Sequence, residues 1–254
     1  MFNNLPLFEV NREERHFGFL FVAAFLNNKR YREKIRQEIA EIAGCEFSES
    51  ELNVYLEPCL FRDYWYSLGD PVAYDEATHN KRRDILNLTL QAMGLDPSII
   101  DSYDMFWTGA QNSKNSKLWF PGRWNQKHIE RIQEDLQIPQ NALYRIRWAF
   151  NAKPDILFTS NSSFIFCEIK LVSGFGYNEN GYSQLQTQDD IIQIARNLFT
   201  ENRTYSHFTI TAKNDLGKNI SWDRIIQLQR ECSNNSFCDK MVETHFEKMI
   251  AFKK

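Results

Sequence analysis

The chain has 254 residues, 43% of them hydrophobic, including 20 Phe and 6 Trp, which is enough apolar side chain for one large domain or two small ones. A net charge of −3 excludes a protein coated all over in basic surface, so any nucleic-acid contact must be local. The five cysteines form no CxxC pair and are expected to be reduced thiols; no Gly-rich phosphate loop, nucleophile elbow or HExxH motif occurs, which removes the commonest enzyme classes.

In chain order, Asn11-Arg12-Glu13-Glu14 reads as a capping box, with Asn11 as N-cap and Glu14 reaching back from the third helical position. The helix that follows is apolar all round and expected to be buried. Its segment Phe17 to Leu26 has no basic leader and is too short to span a bilayer, so a cytoplasmic protein with no membrane segment is expected. A second helix, about Lys29 to Ala43, opens with Lys29, Arg30, Arg32, Lys34 and Arg36, and Lys81-Arg82-Arg83 follows later. These are either phosphate contacts or, interleaved with Glu33, Glu38 and Glu41, solvated surface. Gln111 to Lys117 is the most linker-like stretch, either a flexible loop near the substrate or a domain boundary; as a boundary it separates a helical N-terminal region, 1–117, from residues 118–254. Trp119-Phe120-Pro121-Gly122-Arg123-Trp124 suits stacking on bases or gripping a phosphate, and equally suits packing under a helix that starts near Asn125. Tyr144 to Phe150 alternates as a strand does, with Arg145 and Arg147 sharing either an exposed rim or a basic approach to a site.

The most informative feature comes next. Ile156 to Ser160 and Ser163 to Ile169 are apolar, β-branched and aromatic runs separated by Asn161-Ser162, the pattern of a tight hairpin. If Ser160 faces Ser163, Asp155 falls opposite Glu168 on the same face, and Lys170, two residues on, joins them. Leu157, Phe164 and Phe166 share the carboxylate face, while Ile156, Phe158, Ile165 and Cys167 take the other, as in a sheet covered on both sides. Two carboxylates this close repel, and a hard divalent cation relieves that cost. Asp155, Glu168 and the Ile169 backbone carbonyl, with waters, suit Mg²⁺, with Mn²⁺ expected to substitute, and Lys170 can serve an attacking water. A buried strand pair ending in an ordinary salt bridge to Lys170 is the alternative.

Pro154-Asp155 and Glu168-Ile169-Lys170 resemble the PD-(D/E)XK nuclease superfamily over roughly Leu143 to Lys213. The resemblance implies a restriction-endonuclease-like α/β core: a helix, three antiparallel strands, a helix and a further strand. Here these are Tyr144 to Phe150, the hairpin, a helix over Ser183 to Phe199 and a strand over His207 to Ala212, plus a largely helical N-terminal portion. Superfamily members often carry an acidic residue on the first core helix. Glu14 or Glu13 joins the metal site if the region between that helix and Tyr144 is an insertion, whereas capping explains Glu14 without catalysis. Leu185, Ile191, Ile192, Ala195, Leu198 and Phe199 form one apolar face of the following helix, and Gln184 and Gln188 fall on it. In several branches of the superfamily a glutamine on this helix assists the site; the aromatic residue that often follows four positions later is Ile192 here.

The resemblance implies a Mg²⁺-dependent nuclease, most simply a DNA endonuclease of restriction, phage defence or DNA processing. Asp155, Glu168 and Lys170 would be central, Gln184 or Gln188 supporting, and Arg123, Arg145 and Arg147 candidate nucleic-acid contacts. Cutting both strands of a duplex with one site per chain favours a homodimer. An RNA-cleaving relative and a non-catalytic binding module on the same fold are the competing readings. Ser221 to Cys232 and Asp239 to Phe252 read as closing helices, with Ser221 as N-cap.

Overall fold

A computed structural model describes residues 14–69, 75–108, 117–171, 183–199, 202–212 and 217–252. In chain order the first elements are α1 (Glu14–Asn27), α2 (Lys29–Ala43), β1 (Asn53–Leu56), α3 (Leu60–Ser67), α4 (Glu76–Ala92), α5 (Ile99–Ser102), α6 (Gln126–Leu136) and α7 (Gln140–Asn151). Then come β2 (Ile156–Thr159), β3 (Ser163–Ile169), α8 (Gln184–Leu198), β4 (Thr204–Thr211), β5 (Asn219–Ser221), α9 (Trp222–Cys232) and α10 (Phe237–Phe252). Together they make an α/β protein.

The chain forms two compact units: Met1–Glu57, Pro154–Gly176 and Asn202–Lys254 make the first, and Pro58–Lys153 with Tyr177–Glu201 make the second. This differs from a division at 117/118. Residues 111–116 of the linker-like stretch lie outside the described residues, but its flanks are joined. Trp107 bridges Leu118, and Thr108 N–H donates to the Lys117 carbonyl at 2.7 Å. Both of these flanking pairs lie within the second unit.

The first unit holds a five-stranded mixed sheet in the order β1-β2-β3-β4-β5. β1, β2 and β3 pair antiparallel, and β3, β4 and β5 pair parallel. Alternation along the strands sends Ile156, Phe158, Ile165, Cys167 and Ile169 to one face. There they join a core with Phe17, Phe21 and Phe25 of α1, Ile35 of α2, Ile225 of α9 and Phe246 of α10. Each such fully buried side chain contributes roughly 1.5–3 kcal/mol. α1 is not buried all round, because Phe19 and Leu26 are 54% and 53% exposed. The Asn11 cap expected for this helix lies outside the described residues.

The second unit is helical. Phe61 and Trp65 of α3 pack on Phe150 of α7, with ring centroids 5.2 and 6.4 Å apart. The expected strand over Tyr144 to Phe150 is α7 instead. Its buried residues Leu143, Ile146 and Phe150 recur three and four apart, so packing favours the helix over a seven-residue alternation that fits both periods. Pro154 disfavours helical backbone at Lys153, which helps stop α7 just before the hairpin. The place expected for that first strand, beside β2, is held by β1, with Leu56 opposite Ile156. β1 is an exposed edge strand with no buried face, and so carries no alternating signal.

Candidate active site in the sheet unit

The hairpin sets the site. Ser160 N–H donates to the Ser163 carbonyl at 2.9 Å across the turn, and Ile156 stands opposite Cys167. Continued one place, this register puts Asp155 across from Glu168. Hydrogen-bonded and non-hydrogen-bonded pairs alternate along an antiparallel ladder, and counting from Ser160–Ser163 makes Asp155–Glu168 a non-hydrogen-bonded pair. That is the kind whose Cα atoms approach to about 4.5 Å. One place further, Pro154 falls opposite Ile169 where the ladder calls for an N–H, and proline has none. The ladder therefore offers the Ile169 carbonyl no donor, while the Ile169 N–H donates to Asp155 Oδ2 at 2.7 Å. The proline before the aspartate thus has a physical consequence: it leaves a backbone oxygen beside the two carboxylates.

Neighbouring strands hold these groups in place. Glu57 N–H, just past β1, donates to the Asp155 carbonyl at 3.0 Å, and Lys170 N–H donates to the Ile210 carbonyl of β4 at 2.8 Å. The Trp222 indole at the start of α9 donates to the Lys170 carbonyl at 3.1 Å. Glu168 and Lys170 are 6% and 9% exposed. Glu14, in the first turn of α1, closes the group. Its Oε2 accepts from Lys170 Nζ at 3.1 Å and its Oε1 from Leu171 N–H at 3.2 Å. Gly18, one turn later, permits this approach, since a Cβ there would lie 2.8 Å from Ile169 Cδ1.

Burial pushes the Asp155 carboxyl up from its ordinary value. The Ile169 N–H, Lys170 and a hydrogen bond with Glu168 pull it back, and Glu14 adds a second upward push. These are the marks of two carboxyls crowded in a poorly solvated place, where a cation would take over the work of a proton. Cys167, one residue from Glu168, faces the core; burial drives its thiol far up, consistent with an inert side chain. Among the described residues, no three His, Cys, Asp or Glu side chains are grouped so as to hold a metal ion. A cation here would therefore be held by the two carboxylates, the Ile169 carbonyl and water, a donor set of oxygens that suits Mg²⁺.

The structure thus brings together Glu14, Asp155, Glu168, Ile169 and Lys170 in the first unit. Gln184, Gln188, Arg123, Arg145 and Arg147 belong to the second. On α8, Gln188 is 2% exposed, but Gln184 is exposed and does not share the buried face. It is the first helical residue after the N-cap Ser183, with no preceding turn to pack it. Arg145 and Arg147 do not share a strand face. On α7 they point about 200° apart, and Arg145 grips the buried Asp190 of α8, with its Nε 3.0 Å from Oδ2. The Asp190 ion pair therefore gives Arg145 a structural role within the second unit. The anchoring by Trp222 had no signal in the sequence, since no local pattern marks what an indole N–H will reach.

No protein-family model matches the chain, and neither does any curated protein or solved structure. Among the described residues no helix is long and apolar enough to cross a membrane.

Proposed function

We propose that this chain is a Mg²⁺-dependent nuclease of the PD-(D/E)XK type, acting on DNA. The observation that carries the reading is the hairpin register, which sets Asp155 across from Glu168, with Lys170 on the same face and the Ile169 carbonyl left without a ladder donor. Asp155, Glu168 and the Ile169 carbonyl would hold the ion. When bound, Mg²⁺ supplies polarisation of the scissile phosphate and a more acidic water. Glu14 aims the Lys170 ammonium, and that ammonium orients the attacking water and offsets charge on the phosphoryl oxygens. The buried strand ends limit competing water, so these charges act in a medium of low dielectric. Roles in restriction, phage defence or DNA processing, and a homodimer for cutting both strands, belong to this proposal through the superfamily resemblance. So does a cytoplasmic setting.

The test compares the full chain with Asp155→Ala and Lys170→Ala on plasmid, single-stranded DNA and matched RNA, with and without Mg²⁺. Cleavage should require the ion and fall by about 10³-fold in either variant. Metal-independent or undiminished cleavage would refute the mechanism. Cleavage confined to RNA would move the substrate, and the absence of cleavage on every substrate would favour a binding module.

A further inference from the structure

The aromatic and basic stretch from Trp119 to Trp124, which the cleavage chemistry leaves unused, borders a cavity in the second unit. Its volume is about 260 Å³, slightly under the roughly 300–1,000 Å³ usual for small-ligand sites. That is the scale of a single nucleotide, and too little for a dinucleotide.

The wall is aromatic and preformed. Tyr66, Trp119 and Phe120 line it. Phe120 is wedged between Tyr66, Trp65 and Phe150, with ring centroids 5.5, 5.9 and 5.6 Å away, and Trp119 packs on His128 at 4.3 Å. The turn that follows needs glycine. A Cβ at Gly122 would stand 2.4 Å from Phe120 Cε1 and 2.6 Å from Asn151 Oδ1, so only glycine lets Pro121-Gly122-Arg123 fold back on the ring.

The same cavity is cationic. Arg82, Lys117 and Arg123 line it. Arg82 is buried, donates to the carbonyls of Trp65 and Gly69 at 3.3 and 2.9 Å, and lies 5.6 Å from the Trp65 ring centre. Arg123 is exposed and Lys117 half-buried, so both can meet a ligand from solvent. The lining carboxylate, Asp75, is occupied in capping α4, its Oδ2 accepting from Thr78 N–H at 2.9 Å. A rigid aromatic wall selects a flat ring whatever its edge chemistry, and the cations select an anion attached to it.

We propose that this cavity binds a single nucleotide, its base stacked on the aromatic wall and its phosphate held by Lys117 and Arg123. The nucleotide is either free or part of a polynucleotide strand. An acidic side chain has the charge without the ring. A phosphotyrosine has both, and is the occupant the test must separate.

The full chain, without Mg²⁺, is titrated calorimetrically with dAMP, AMP, adenosine, inorganic phosphate and phosphotyrosine, and fluorimetrically with a short single strand carrying 2-aminopurine. A nucleotide or the strand should bind, and adenosine and phosphate alone should bind at least about tenfold more weakly, about 1.4 kcal/mol. The double variant Lys117→Ala/Arg123→Ala, and Thr108→Trp, which fills the cavity from an exposed position, should each weaken binding by about tenfold or more. The assay contains no Mg²⁺ and reads binding alone, which keeps this proposal separate from the cleavage reading. Binding of free nucleotides alone identifies the free ligand, and binding of the strand alone identifies a polynucleotide; either supports the site. No nucleotide binding at all, equal binding in both cavity variants, or a preference for phosphotyrosine would overturn it. Circular dichroism confirms folding of the variants, and either one alone carries the test.

Discussion

The sheet unit and the helical unit use their buried charges in opposite ways. In the sheet unit, Asp155 lies across from Glu168, Glu14 pairs with Lys170, and burial leaves Asp155 with a raised affinity for protons. In the helical unit, the buried Asp190 is matched by a bidentate arginine, and the buried Arg82 donates to two carbonyls. On the proposed reading, the difference is that between a site and a structural contact. A matched pair holds helices together, whereas two carboxylates set across from each other at a strand end are, in the proposed function, kept for a cation.

That contrast can be broken experimentally, and the largest effect should be the loss of cleavage of about 10³-fold in Asp155→Ala or Lys170→Ala. Next is the helical unit. Arg145→Ala leaves Asp190 buried and unmatched, and should cost about 2–3 kcal/mol in denaturant unfolding. Unchanged stability with weakened DNA binding would instead make Arg145 a nucleic-acid contact. Glu14→Gln keeps an acceptor for the Leu171 N–H but removes the charge that aims Lys170, and should slow cleavage about tenfold at nearly constant melting temperature. If Glu14 only caps α1, the rate will not move.

A smaller effect runs the other way. Because the folded pKa of Asp155 is raised, the folded chain binds a proton more tightly than the unfolded chain. The cost of its charge is absent below the unfolded value of about 4 and grows as pH rises through the folded value. Asp155→Asn should therefore stabilise the metal-free protein at neutral pH and scarcely at all near pH ~4, as read by urea unfolding in EDTA. A destabilised Asp155→Asn would place the aspartate with the structural pairs of the other unit. The smallest expected change is in Gly18→Ala. There a gain in helix propensity offsets the contact with Ile169, for a net change within about 1 kcal/mol, and a few-fold slower cleavage should report the displaced Glu14 turn.

The hairpin was legible because its information is local. Two apolar runs and a two-residue turn define a register, and the register places Asp155, Glu168 and Lys170 without reference to the rest of the chain. The helices α2, α8 and α9 were also legible, α8 from its apolar face and α9 with its Ser221 cap. α7 was misread because its seven alternating residues fit a strand until the packing of Leu143, Ile146 and Phe150 is known. β1 was missed because an exposed edge strand has no buried face to imprint a pattern.

Glu14 shows where local inference stops. Its sequence neighbours account for it as a cap, and only folding brings it to Lys170, 156 residues away, with Gly18 allowing the helix to lie against Ile169. Trp222 under Lys170 and the aromatic cavity of the helical unit belong to the same class. Chain-local chemistry was enough for the two carboxylates and the lysine, because strand pairing transmits position one residue at a time. What steadies them, and what lines the second site, depends on helices and turns far apart in the chain. Their meeting is decided by packing, which no short stretch of residues encodes.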